Sequence, residues 1–93
     1  MPALSGQKTV TSAGTAEALG DQVINAPLMV KALEANTNPV AIGNDDSEDV
    51  TLSNGLQLAA GDVVVFEFVS NLKSLYVDVT TNGEGVAWLV LSV

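Results

Sequence analysis

The chain has no cysteine and no histidine. Together these absences remove the disulfide, the thiolate nucleophile, the Cys/His zinc site and the imidazole acid or base. Without cysteine, the sequence is compatible with any redox compartment. Arginine is missing too, so Lys8, Lys31 and Lys73 stand alone against eleven Asp and Glu, for a net charge of −8 and a pI of about 4.1. Such a chain repels phosphate. Three scattered lysines cannot form the basic stripe that releases counterions, so nucleic acid and an anionic membrane surface are poor partners. No apolar run approaches the roughly 20 residues that a membrane helix needs. Residues 1–8 lack a basic start followed by an apolar stretch, so no secretory signal is read there.

What is present is a short chain rich in small and aliphatic residues. Its 93 residues make one domain, in which folding would remove about 63 % of the extended chain's surface from water. Hydrophobic residues are 47 % and charged residues only 15 %, whereas about 25 % charged is ordinary for a soluble domain. So few charges imply that some apolar surface faces another chain.

The periodicity is that of strands. Residues 63–69 run Val-Val-Val-Phe-Glu-Phe-Val, the clearest strand, with Val64, Phe66 and Phe68 expected on one face. In 75–79, Leu75, Val77 and Val79 alternate with Tyr76 and Asp78. Residues 86–93 are apolar on both faces, which requires a central position or cover by a neighbouring subunit. Shorter strands are expected at 28–33, 40–42, 50–52 and 56–58, punctuated by Asn36-Thr37-Asn38-Pro39, Asn54-Gly55, Gly61-Asp62 and Asn82-Gly83. The Ala, Ser, Thr and Gly of residues 1–20 read as an extended arm ending in a short strand at 8–11. The expected fold is therefore all-β: one antiparallel β-sandwich or small barrel of seven to eight short strands over 21–93, preceded by the arm.

Candidate chemistry is sparse. Asp45, Asp46, Glu48 and Asp49 offer carboxylates of the kind calcium prefers. Their spacing departs from the Asp-x-Asx-x-Asx-Gly calcium loop, and the reading adopted is a solvated loop tip with no metal. Glu67 and Asp78 lie on expected strands and could be imagined as a hydrolytic carboxylate pair. Four aromatic residues in so short a chain cannot build both a core and a substrate cleft, so both acids are expected to face out of the sheet. Gly83-Glu84-Gly85 opens no helix and no Lys-Ser/Thr follows it, leaving a hairpin rather than a phosphate cradle. The chain is read as no enzyme and as needing no cofactor.

Three segments carry a resemblance. Residues 28–38, Leu-Met-Val-Lys-Ala-Leu-Glu-Ala-Asn-Thr-Asn, followed by Val40-Ala41-Ile42-Gly43, are joined by the corner Asn54-Gly55-Leu56-Gln57-Leu58-Ala59-Ala60-Gly61-Asp62 and the hairpin from Leu75-Tyr76-Val77-Asp78 to Asn82-Gly83-Glu84-Gly85-Val86. In this order they resemble small structural proteins of tailed bacteriophages, over nearly the whole chain. Ala60 stands where that family often has proline, and the acidic stretch 45–49 is heavier than its pattern. The resemblance implies a virion component, foremost a head decoration or cement protein on the capsid surface whose partner is the major capsid protein. A tail- or fibre-associated module binding a host-surface glycan is the alternative. The expected contact residues are Val10 in the arm and Trp88, Leu89, Leu91 and Val93 in the last strand, with self-association as a trimer through the outer face of that strand.

Overall fold

The computed structural model describes residues 4–44, 50–51 and 53–91. It is an all-β sandwich of eight strands: β1 (Ser5–Thr9), β2 (Glu17–Ala18), β3 (Val23–Ala32), β4 (Val40–Gly43), β5 (Leu56–Leu58), β6 (Val63–Asn71), β7 (Tyr76–Asp78) and β8 (Gly85–Val90). One turn of 3₁₀ helix, Leu72–Ser74, links β6 to β7. Two four-stranded sheets, wholly antiparallel, run in the orders β1-β8-β3-β6 and β2-β7-β4-β5.

The alternating side chains of the two sheets meet in one core. Leu28, Val30 and Ala32 of β3 and Val86, Trp88 and Val90 of β8 face Val40 and Ile42 of β4, Leu58 of β5 and Val77 of β7. Several backbone features admit this packing. Gly6 lies opposite Trp88, where a side chain on Gly6 would meet the indole at 2.9 Å. At Gly85 an added Cβ would collide with the carbonyl of Lys8 and with Thr9, because the two backbones run that close. Pro27 sits inside β3, at the end of the β3–β8 ladder, where its carbonyl accepts from the Leu91 N–H at 3.0 Å. The ladder between β3 and β6 shifts register on both sides of Ala26, and Asn25 takes a positive φ of 45° there.

Three expectations change. Residues 5–18 are no free arm: β1 pairs with β8 over five residues and β2 pairs with β7, so this segment supplies an edge strand to each sheet. Its polar composition suits edges, whose outer sides meet water. Residues 50 and 51 are not strand; Val50 packs instead on the outside of the second sheet. Phe68 does not share the inward face of Val64 and Phe66. The register shift adds a residue between the pairs Leu28–Phe66 and Ala26–Val69, which turns Val69 inward and leaves Phe68 exposed.

Candidate functional site

The two outer faces of the sandwich are built differently. On the second sheet, Ala41 of β4 points away from the core, yet Val50 and Ala16 bury it, with Tyr76 beside them. Asp78, also outward, is only 3 % exposed, because the loop after β1 folds across it. Its Oδ1 accepts hydrogen bonds from the Gly14 N–H at 2.9 Å and the Val79 N–H at 2.8 Å. Nearby, the Ala13 N–H donates to Asn82 Oδ1 at 2.7 Å. The chain's own connections therefore roof this face.

The first sheet has no such cover among the described residues. Register places Leu89, Met29 and Val65 in one row across β8, β3 and β6, with Ala87, Lys31 and Val63 in the next. Val63, Val65, Leu89 and Leu91 are 48 %, 50 %, 45 % and 42 % exposed. A shallow hollow among Met29, Lys31, Ala87 and Leu89 lies on the same face. Scattered exposed aliphatic residues are ordinary, whereas these lie side by side over three strands. Within these rows the charged residue is Lys31, whose ammonium donates to Glu34 Oε1 at 3.3 Å in an exposed pair.

The two open sides of the sandwich also differ. Where β1 and β2 lie together, Lys8 Nζ donates to Glu17 Oε1 at 2.9 Å and joins the edges of the two sheets. Glu17 Oε2 accepts from the Thr11 N–H at 2.9 Å. The Lys8 hydrogen bond, and after it the Thr11 N–H, hold the Glu17 carboxyl below its ordinary range. On the opposite side a groove of about 430 Å³ opens between β6 and the β4–β5 pair, lined by Ile42, Leu56, Phe66, Phe68 and Leu75.

Of the expected contact residues, Leu89 and Leu91 lie on the bare outer face. Val10 does not: it is fully buried, its N–H donating to the Glu84 carbonyl and its carbonyl accepting from Gly83. Trp88 likewise faces the core, because alternation along β8 puts it opposite Leu89. Val93 lies outside the described residues. Sequence reading missed Met29, Val63 and Val65, although strict alternation against the inward Leu28, Val30 and Val64 would have placed them.

The carboxylates divide as well. Glu67 is exposed on β6, whereas Asp78 is buried under the 11–15 loop, so the two share no site. The acidic stretch 45–49 lies outside the described residues, among which no group of three or more potential metal ligands occurs. Among them, too, no helix is long and apolar enough to cross a membrane. Comparison with known proteins found no matching family model, no matching curated protein and no matching solved structure.

Proposed function

We propose that this chain is a structural protein of a tailed-phage virion, a decoration or cement subunit that seats the bare outer face of its first sheet on the capsid. One observation carries the reading: loops of the chain roof one sheet, whereas no described residue covers the apolar face of the other. The segmental resemblance to phage structural proteins supplies the identity of the partner.

A capsid shell is weakest at the seams between capsomers, and a small rigid protein lying across a seam adds buried area to both sides. Each contact can be modest, since many copies fixed by symmetry act together. Stiffness and one sticky face suffice. The excess of carboxylates keeps free subunits soluble and mutually repelling until they reach the shell. Residues 5–18 take no part as a free tether, because they are committed to the sandwich; the contact falls to Leu89, Leu91, Met29, Val63 and Val65.

The test is stoichiometry. Quantitative mass spectrometry of purified virions of the phage encoding this chain is expected to find it in amounts comparable to the major capsid protein. A trace amount would favour the tail-associated glycan-binding alternative, and absence from the particle would end the virion reading.

A further inference from the structure

The longest edge strand of the molecule offers a second contact, independent of whatever the outer face meets. The edges of the two sheets are β1, β2, β5 and β6, of five, two, three and nine residues. Short or polar edges resist pairing with foreign strands, whereas a long apolar edge invites it. Between Val63 and Phe66, β6 is apolar throughout and keeps regular register with β3.

Hydrogen bonding fixes which backbone groups are free. The Ala32 N–H donates to the Asp62 carbonyl and the Gly61 N–H to the Ala32 carbonyl, so residues 62, 64 and 66 turn their polar groups toward β3. Residues 63, 65 and 67 turn theirs outward, where no described strand pairs with them. Unpaired polar groups in so apolar a strand make a template for one more strand.

We infer that β6 pairs antiparallel with β6 of a second copy about a two-fold axis through Val65, joining the two first sheets into one continuous eight-stranded sheet. The sequence around Val65 is self-complementary in that register. Val65 meets Val65 of the other copy, Val64 meets Phe66, and Val63 meets Glu67. β-branched and aromatic pairs are favourable cross-strand neighbours. Lys31 lies beside Val63 in the same row of the sheet, so Glu67 of one copy reaches over that valine toward the Lys31 ammonium of the other. The two glutamates avoid each other. The groove opens on this same side of the sandwich, and its exposed Leu56 and Phe68 gain cover from the second copy. A two-fold contact uses up the β6 edge of both copies, so it gives a closed pair rather than a growing ribbon.

Analytical ultracentrifugation of the full chain over a concentration series is the test, with hydrogen exchange as the site-specific readout. A species of twice the 9.5 kDa monomer mass is expected, with Val65 amide protection rising with concentration. Val65→Lys sets two ammonium groups face to face on the axis and is expected to abolish the dimer without unfolding the chain. Val65→Pro removes an outward N–H, a position an edge strand tolerates, and has the same expected effect. Glu67→Lys weakens dimerisation, and Lys31→Glu in the same chain restores it. A monomer at every concentration, a trimer, or a dimer indifferent to Val65→Lys and Val65→Pro would each overturn the pairing. Val65→Lys decides the matter should the proline variant fail to fold.

Discussion

The outer faces of both sheets carry apolar side chains, but among the described residues only one of them is covered by the chain's own loops. Over the second sheet, Ala41 meets Val50 and Ala16, and the Asp78 carboxylate ties down the loop that crosses it. Over the first, Met29, Val65, Leu89 and Leu91 meet no described cover. The difference lies in the connections: the described loops cross the second sheet and not the first.

The sharpest way to break that comparison is to put a charge on each face. Val50→Asp places a carboxylate where the side chain is buried against Ala41 and against Gly43, which leaves Val50 Cγ2 only 3.0 Å from where a Cβ would stand. An unpaired buried charge has no compensation there, and a loss of about 3 kcal/mol or more is expected, a fall in thermal midpoint of roughly 10 °C or more by calorimetry. Leu89→Asp, on the bare face, should leave stability within about 0.5 kcal/mol of the parent and, under the proposed function, abolish attachment to capsids in a co-sedimentation assay. Similar losses of stability from the two substitutions would show that the first sheet is covered after all.

Asp78→Ala is next in size. It leaves the Gly14 and Val79 N–H groups without their acceptor under a closed loop, for about 1–3 kcal/mol in chemical denaturation. Asn36→Ala belongs beside it: the buried Asn36 amide donates to the Gly85 carbonyl at 2.8 Å, and its Oδ1 accepts from the Gly85 N–H at 3.3 Å. This side chain stands in for a strand neighbour at the start of β8, and a comparable loss is expected. Either variant matching the parent in denaturant midpoint would mean that water replaces these bonds at no cost.

Much of the sandwich is visible in the sequence because period-two alternation maps directly onto two faces. The strands around Val40–Gly43, Leu56–Leu58 and Tyr76–Asp78 stand close to where their alternation places them. Alternation fails where an extra residue enters: Phe68 belongs to the inward series by counting and is exposed, because the shift near Ala26 resets the count. Composition fails at the N-terminal segment, since Ser5-Gly6-Gln7-Lys8-Thr9 has the residues of a loose arm but also those of a water-facing edge. Asn36, in a turn cluster, shows no local sign of its distant partner Gly85. The bare face was half legible: Leu89 and Leu91 follow from a strand apolar on both sides, and alternation against them turns Trp88 inward, but Val10 could be assigned to the core only once β1 had been paired with β8.

The smallest effect sharpens the contrast between the two open sides of the sandwich, one joined by Lys8 and Glu17 and the other left as a groove. The Glu17 carboxyl is held below the ordinary value of 4.5, first by the Lys8 hydrogen bond and then by the Thr11 N–H. Because the folded value is the lower one, the unfolded chain binds the proton more readily. The stabilisation is complete above about 4.5 and is lost as pH falls through the folded value. Glu84 acts in the same sense, chiefly through the Thr37 N–H, and adds to the same acid limb. Thermal midpoints measured down the acid range should therefore fall less steeply for Glu17→Gln than for the parent, with a small deficit at neutral pH since a single ion pair at a half-buried edge contributes little. A Glu17→Gln chain whose midpoint tracks the parent at every pH would mean that this side is held by Val10 and Leu19 packing into the core, with the ion pair an ornament on an edge already closed.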